Sequence, residues 1–90
     1  MIRPLKFELK PGLNVIALKG GSCGRPHFDF QRGVPCLWLT VDDARQHEKW
    51  EFYVALTGEA LPDGYYYEPC GSALSSDGNS VLHLYRLDQK

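Results

Sequence analysis

The sequence predicts an all-β protein, a small antiparallel β-sandwich or barrel of six to seven strands built from hairpins. Apolar and polar residues alternate with a period of two in several short segments, as they do in strands with one buried face. Glycine, proline, asparagine and aspartate separate these segments at short intervals and supply turns. No segment shows a convincing 3.6-residue period, so helices are not expected.

Length and composition limit the class of protein. The chain has 90 residues, enough for one domain (residues 1–90) with a single core. Apolar residues make up 43% and charged residues 23%, which is typical of a folded protein. Ten basic and eleven acidic side chains give a net charge of -1. Because proteins that bind phosphate backbones normally carry more positive charge, a nucleic-acid partner is not expected.

The start of the chain and its cysteines indicate a location. The opening MIRPLKFELKPG lacks the continuous apolar core of a signal peptide, and no apolar run approaches the roughly 20 residues of a membrane span. Three cysteines cannot all pair within one chain, and neither a CxxC nor an HxxxH motif is present. We therefore expect a cytoplasmic protein with reduced thiols and without membrane contact, a metal or a cofactor.

Residues 3–18 predict a first hairpin. Residues 3–9 alternate between apolar and polar side chains, and Pro4 is typical of an edge strand or of a strand start. The sequence KPG at positions 10–12 supplies turn chemistry, and residues 13–18 return as a second strand.

Residues 19–26 (KGGSCGRP) predict a connecting loop, because three glycines in eight positions disfavour a regular element. Backbone N–H groups of such a loop, together with Arg25, are able to bind an anion. However, the spacing of a P-loop is absent and no helix follows. Residues 27–31 alternate again and predict a strand with Phe28 and Phe30 inward.

A tight turn at Arg32 and Gly33 connects this strand to the next one, since glycine accepts the positive φ that such turns require. Pairing across the turn places Phe28 opposite Leu37, Phe30 opposite Pro35, His27 opposite Trp38, and Asp29 opposite Cys36.

Residues 34–57 predict a central hairpin, because two long strand signals flank the polar segment 43–48. One register places all six apolar side chains on one face, whereas a shift by one residue sends half of them to the wrong side. The predicted pairs are Leu37 with Val54, Leu39 with Phe52, and Val41 with Trp50. The same register places Cys36, Trp38, Thr40, Glu51, Tyr53 and Ala55 on the second face.

The last third of the chain predicts a short strand, a loop and a long strand. Residues 65–69 (YYYEP) form the short strand, and residues 70–79, rich in glycine and serine, form a long flexible loop. Residues 81–87 (VLHLYRL) are apolar on both faces, which is typical of a strand in the middle of a sheet.

The second face of the central hairpin is the candidate binding surface. Tryptophan and tyrosine beside ionisable groups are typical of contact surfaces, because each offers a large area and one polar atom. A second sheet that covers this face and makes Trp38 a core residue is the alternative. The candidate binding residues are His27, Asp29, Trp38, Thr40, Tyr53, Arg25, Arg32 and Tyr85.

An enzyme is not expected from these residues. Cys36, His27 and Asp29 are the one cluster that the register brings together. A cysteine in the middle of a strand lacks the helix N-terminus or backbone donors that activate a nucleophile and stabilise an oxyanion. We therefore assign no catalytic residue.

The pattern QxGxPCLWxxVD, followed by a charged loop, an aromatic strand ending in TG and a last strand containing HLY, is similar to a family of small uncharacterised proteins encoded mainly by tailed phages and prophages. The matching residues are Gln31, Gly33, Pro35, Cys36, Leu37, Trp38, Val41, Asp42, Phe52, Thr57, Gly58, His83, Leu84 and Tyr85. The opening KFELKPG also fits, so the resemblance spans most of the chain. Residues 19–28 depart from it.

The resemblance implies a viral accessory protein in the host cytoplasm, and it carries no assigned activity. Small phage proteins without catalytic machinery commonly act by binding. The leading expectation is therefore a host-directed inhibitor, such as an anti-defence protein, whose partner is a host protein. A homo-oligomer that binds a nucleotide-like small ligand between copies, through Arg25, Arg32, His27 and Trp38, is an alternative. A virion or assembly component is another, and homo-oligomers are expected in general.

Overall fold

Seven strands and no helix make up the protein, whose structure is a computed structural model covering residues 1–90. Accordingly, no helix is long and apolar enough to cross a membrane. The strands are β1 (Ile2–Glu8), β2 (Gly12–Leu18), β3 (Gly21–Gln31), β4 (Val34–Asp42), β5 (Glu48–Leu56), β6 (Tyr65–Leu74) and β7 (Val81–Gln89). They form two antiparallel sheets, sheet A with the order β1-β4-β3 and sheet B with the order β2-β5-β7-β6. The predicted all-β sandwich is confirmed.

The core lies between the inner faces of the two sheets. Sheet A contributes Leu37 and Leu39 of β4, while sheet B contributes Phe52 and Val54 of β5 and Leu84 of β7. Each of these side chains is at most 1% exposed. They occupy alternate positions of their strands, so the predicted inward faces are confirmed. Burying each one stabilises the fold by about 1.5–3 kcal/mol relative to exposing it.

The predicted central hairpin is wrong, because β4 and β5 belong to different sheets. β4 pairs with β1 and β3, whereas β5 pairs with β2 and β7. The apolar residues assigned to the hairpin do share one core, but they meet across the sandwich rather than side by side. An apolar stripe of period two specifies which face of a strand is buried. It does not distinguish a partner beside the strand from one stacked on it.

The predicted first hairpin is also wrong, since β1 pairs with β4 and β2 pairs with β5. The side chain of Asn14, 8% exposed, fixes the connection between them. Its Oδ1 accepts a hydrogen bond from the N–H of Lys10 at 3.0 Å, and its Nδ2 donates to the carbonyls of Lys10 at 2.8 Å and Gly12 at 3.0 Å. These bonds satisfy a buried amide and hold a turn from which β2 enters the other sheet.

The hairpin of β3 and β4 has the predicted register, including Phe28 opposite Leu37 and His27 opposite Trp38. Arg32 has a φ of 53° and Gly33 a φ of 78°. Two successive left-handed residues are what a two-residue hairpin turn of this kind requires. β7 lies between β5 and β6, so its predicted central position is also confirmed.

The loop predicted at residues 19–26 is wrong for most of its length, because β3 already begins at Gly21. A bulge between Cys23 and His27 shifts the register and absorbs the extra residues. Glycine and proline in this segment therefore mark an irregularity within a strand rather than its end.

The loop predicted at residues 70–79 is likewise shorter than expected. β6 continues to Leu74 and pairs with β7 on both sides of a bulge between Pro69 and Gly71. The remaining turn is organised by Asp77, whose carboxylate accepts hydrogen bonds from the Ser75 hydroxyl and the Asn79 N–H. The strands β3 and β6, which both contain a bulge, pack against each other and close one side of the sandwich.

Candidate functional site

Trp38 lies on the outer face of sheet A. We name this surface the Trp38 face, and it comprises Lys6 and Glu8 of β1, His27, Asp29 and Gln31 of β3, and Cys36, Trp38, Thr40 and Asp42 of β4. Trp38 is opposite Lys6 on one side and His27 on the other. Its ring centroid is 5.5 Å from that of His27, and the two planes are inclined by 44°. The side chain of Trp38 is half-buried and points away from sheet B, so Trp38 is not a residue of the core between the sheets.

A side-chain bridge crosses β4 on this face. The ammonium group of Lys6 in β1 donates a hydrogen bond of 2.7 Å to the side-chain oxygen of Gln31 in β3. Cys36 of β4 lies between these two strands and is fully buried. Its thiol donates to the carbonyl of Val34 at 3.4 Å, and no hydrogen bond joins it to His27. The thiol is therefore occupied by the backbone and shielded from solvent.

The Trp38 face is more acidic than basic. Glu8, Asp29 and Asp42 lie on it, against the single ammonium group of Lys6. Asp42 has a distant partner in Arg45 at 4.0 Å, and Asp29 accepts from the N–H of Phe30 at 2.8 Å. Exposed carboxylates around an aromatic ring repel phosphate groups and attract cationic side chains.

The predicted candidate surface is divided between opposite sides of the molecule. His27, Asp29, Trp38 and Thr40 share the Trp38 face, as predicted. Tyr53 and Tyr85 lie on the outer face of sheet B instead, because β5 does not pair with β4. The error in strand pairing therefore carried over into the predicted surface.

The two candidate arginines lie at the periphery of the Trp38 face. Arg25 belongs to the bulge of β3 and lines a cavity of about 420 Å³ with Glu68 and Cys70 of β6. Burial raises the pKa of the Cys70 thiol, which favours its neutral form. Arg32 is exposed at the tip of the hairpin of β3 and β4.

The outer face of sheet B is rich in tyrosine. We name it the tyrosine face, and it comprises Glu51, Tyr53 and Ala55 of β5, Tyr65 and Tyr67 of β6, and His83, Tyr85 and Leu87 of β7. Tyr67 packs edge-on between Tyr65 and Tyr85, at centroid distances of 6.4 and 6.0 Å. Leu87 is 4% exposed and Ala55 is 3% exposed, although both point away from the core between the sheets.

Residues 57–64 are attached to the tyrosine face by hydrogen bonds. The hydroxyl of Tyr67 donates to the carbonyl of Pro62, and that of Tyr53 donates to Oε2 of Glu59 at 2.7 Å. Glu59 also accepts from the N–H of Leu56 at 3.2 Å. The bond from Tyr53, assisted by that N–H, lowers the pKa of Glu59, and the same bond raises the pKa of Tyr53.

His83 is held between two hydroxyl groups at the edge of the tyrosine face. Its Nε2 is 2.7 Å from Oγ1 of Thr57, and its Nδ1 is 2.8 Å from Oγ of Ser72. A cavity of about 140 Å³ adjoins the ring and is also lined by Leu61 and Tyr85. These two hydrogen bonds fix the orientation of the imidazole ring.

The sandwich is open on the side of β1 and β2. Unlike β3 and β6, these two edge strands make few contacts with each other. A cleft of about 270 Å³ separates them, with Arg3, Lys19 and Asp43 at its rim, where the guanidinium of Arg3 pairs with the carboxylate of Asp43 at 3.5 Å. Its apolar lining consists of Leu5, Phe7, Ala17, Leu18 and Val41.

A comparison with protein-family models matches residues 2–90 to a domain of unknown function, DUF7352. The chain belongs to this family. Comparisons with curated proteins and with solved structures give no match. The description of the DUF7352 family assigns no activity, so the arguments for function rest on the surfaces described above.

Sequence reasoning missed the neighbours of the tyrosines in this DUF7352 chain. Thr57, Ser72, Glu59 and His83 are not among the candidate binding residues that the sequence predicts. The sequence does contain a signal, because Thr57 and His83 fall in the TG and HLY segments of the pattern. Their contact spans 26 positions and depends on the pairing of β5 with β7. The incorrect pairing of β4 with β5 concealed it.

Proposed function

We propose that the chain is a phage-encoded accessory protein that acts by binding, as an inhibitor of a host protein such as a component of antiviral defence, in the host cytoplasm. The phage origin rests on the resemblance of the QxGxPCLWxxVD, TG and HLY segments. One observation carries the proposed activity: Trp38 stands half-buried, with its ring against His27, in the middle of a sheet face that no other strand covers.

The surroundings of Trp38 define the chemistry of the partner. Tryptophan is enriched among the anchors that dominate binding energy, especially where it fills a pocket of the partner. The carboxylates of Glu8 and Asp29 flank this anchor. The partner is therefore a protein surface with an apolar pocket rimmed by arginine or lysine side chains, rather than a nucleic acid.

The state of Cys36 supports binding rather than catalysis. A nucleophilic cysteine needs a thiolate that is accessible and lies beside a base. The thiol of Cys36 is fully buried and donates to a backbone carbonyl. His27 is exposed, and its ring lies tilted against that of Trp38 and makes no hydrogen bond to this thiol.

The test uses a photo-crosslinking amino acid at Thr40, on the Trp38 face, in chains expressed in bacterial host cells. We expect one discrete adduct with a host protein, and we expect Trp38→Ala to weaken binding of the purified partner by about 30-fold, equivalent to about 2 kcal/mol. Tyr66→Ala is the matched control, because Tyr66 is an aromatic residue 64% exposed outside this face. Unchanged affinity of a folded Trp38→Ala variant would refute the assignment of this face.

Activity against defence is tested separately. Host strains that each carry one defence system express the wild type, Trp38→Ala or Tyr66→Ala before phage infection. The wild type and Tyr66→Ala should raise the plating efficiency of the phage in the strain whose defence protein forms the adduct, whereas Trp38→Ala should not. An adduct with a host protein unrelated to defence, with no effect on plating, would contradict the anti-defence activity and leave the binding face intact.

The cleft between β1 and β2 favours a second candidate function, the binding of a nucleotide-like small ligand. Its apolar lining suits a ring system, and the ammonium group of Lys19 at the rim, which has no carboxylate partner, suits a phosphate. Native mass spectrometry of the protein from infected cells should then show a bound mass of a few hundred daltons that Lys19→Ala loses. Protein without such a mass, and without affinity for added nucleotides, would eliminate this candidate.

A further inference from the structure

The two sheets have four edge strands, and three of them are protected against pairing with another chain. Edge strands present unpaired N–H and C=O groups, which proteins commonly block with proline, lysine or a bulge. β1 contains Pro4 and Lys6. β3 and β6 each contain a bulge with a proline, Pro26 and Pro69, and they also pack against each other.

β2 is the exception among these edges. From Gly12 to Leu18 it contains no charged residue and no proline, and it pairs with β5 without a bulge. Its outward side chains are all apolar and exposed: Leu13, Val15 and Ala17, with Leu13 43% and Val15 51% exposed. A straight, uncharged, apolar edge of this kind is a template for strand addition.

We propose that two copies of this chain pair along β2 in an antiparallel dimer, which joins the two four-stranded B sheets into one sheet of eight strands. The two-fold axis lies at Val15, the middle residue of the strand. Val15 is therefore directly opposite Val15 of the second copy. Leu13 then lies opposite Ala17 of the second copy. This inference is independent of the function proposed for the Trp38 face.

The sequence of β2 is self-complementary in this register. Every outward side chain meets another apolar side chain, and such cross-strand pairs stabilise a sheet. The flanking lysines do not oppose each other, because Lys19 faces Pro11 of the second copy and Lys10 faces Gly20. They instead limit the pairing to the segment between them, since a shifted register brings a lysine against the apolar strand.

The side of the molecule that carries β2 is large enough for a small interface with a second copy. The molecule is 17 Å thick, and the shorter of its two long dimensions is 33 Å. A side wall of these dimensions limits the buried area of the two copies to at most about 1,100 Å² in total, which is close to the lower limit of about 1,000–1,200 Å² for a specific interface. The mouth of the cleft between β1 and β2 lies on the same side and adds apolar area. We therefore expect a dimer of micromolar or weaker affinity that does not extend into filaments, because pairing consumes the one unprotected edge.

The first test is sedimentation equilibrium of the full chain at concentrations up to about 0.5 mM, a range that covers affinities this weak. The wild type should show a monomer–dimer equilibrium, and Val15→Lys should raise the dissociation constant by about tenfold or more, since two ammonium groups would meet on the axis. Val81→Lys is the matched control, because Val81 is an exposed valine on β7, away from this edge. A monomer at every concentration, or a dimer that Val15→Lys does not weaken, would overturn the proposal.

The second test measures the register by disulfide formation in chains that also carry Cys23→Ser and Cys70→Ser. Directly opposed residues of an antiparallel pair have Cα atoms about 4.5–5.5 Å apart, within the range of a disulfide. Val15→Cys should therefore crosslink to itself. Leu13→Cys alone should not, because its two copies are about 13 Å apart, whereas a mixture of Leu13→Cys and Ala17→Cys should form the heterodimer. Equal crosslinking of Leu13→Cys and Val15→Cys would refute this register even if a dimer forms.

Discussion

The two outer faces of the sandwich differ in how deeply they bury their apolar side chains. On the tyrosine face, Leu87 and Ala55 are as buried as core residues, because tyrosine rings and residues 57–64 surround them. On the Trp38 face, Trp38 is only half-buried and the one cover over β4 is the bond between Lys6 and Gln31. The tyrosine face thus buries two apolar side chains among its rings, whereas the Trp38 face buries only the small side chain of Cys36 and leaves Trp38 partly exposed at its centre.

This difference teaches that an outward position is not necessarily an exposed one. The alternation assigns each side chain to a face, but connecting segments decide whether that face is wet. An open face with a large aromatic residue is a candidate for binding, whereas a covered face contributes to stability. Trp38 and Leu87 should therefore respond differently to mutation.

The largest losses of stability should come from substitutions on the inner faces, where both sheets contribute fully buried apolar side chains. Phe52→Ala in sheet B and Leu39→Ala in sheet A should each lower the free energy of unfolding by about 3–5 kcal/mol, because both side chains are at most 1% exposed and truncation leaves a cavity. Urea denaturation measures both. A loss below about 1 kcal/mol for either variant would mean that its strand turns the other face to the core.

Substitutions on the two outer faces should lower the free energy of unfolding by smaller amounts, and by different amounts on each face. Leu87→Ala should cost about 2–4 kcal/mol, the range for emptying a buried position. Trp38→Ala should cost only about 1–2 kcal/mol, since the ring lies on an outer face and is already partly exposed. Both are measured by urea denaturation, and a larger cost for Trp38→Ala than for Leu87→Ala would reverse the comparison between the faces.

A smaller effect should appear in the reactivity of Cys36. Lys6→Ala removes the bond to Gln31 that crosses β4, so the buried thiol of Cys36 should react faster with a thiol reagent in the native protein. Lys49→Ala, an exposed lysine on β5, is the control. Mass spectrometry of the labelled peptides distinguishes Cys36 from Cys23 and Cys70. Equal labelling rates of Cys36 in the two variants would show that the bridge does not cover the thiol.

The smallest effect should be the pH dependence that Glu59 contributes to the tyrosine face. Its pKa in the folded protein lies below the ordinary value of 4.5, because it accepts from the Tyr53 hydroxyl and the Leu56 N–H. The contribution to stability is therefore present above that ordinary value and is lost as the pH falls through the folded pKa. The stability difference between the wild type and Glu59→Gln, measured by urea denaturation from neutral to acidic pH, should stay constant above about pH 5.5 and shrink below it. A difference that does not change on acidification would contradict the bond to Tyr53.

The inner faces of the strands were predictable from sequence because Leu37, Leu39, Phe52 and Val54 follow the period of the strand. The pairing of β3 with β4 was predictable because Arg32 and Gly33 form a turn whose length fixes the register. The sheet to which β5 belongs was not predictable, since a strand beside β4 and a strand stacked on it need the same apolar stripe.

The candidate site was predictable to the same extent. His27, Asp29, Trp38 and Thr40 share a face because they depend only on the local hairpin. Tyr53 and Tyr85 were assigned to that face by way of the incorrect pairing. Their true neighbours, such as Glu59, come from a connecting segment whose path no periodic pattern encodes.

The connections that change sheets also determine when the chain is able to fold during synthesis. β1 cannot pair until β4 has been synthesised, and β2 cannot pair until β5 has been synthesised. The other neighbour of β5 is β7, at residues Val81–Gln89. Closing such long loops costs conformational entropy before the strand contacts that offset it can form. Folds of this kind therefore form in milliseconds to seconds rather than microseconds. The local hairpin β3–β4 is able to form early, but sheet B remains without its second central strand until β7 leaves the ribosome. The nascent chain therefore exposes the uncharged strand β2 for most of its synthesis.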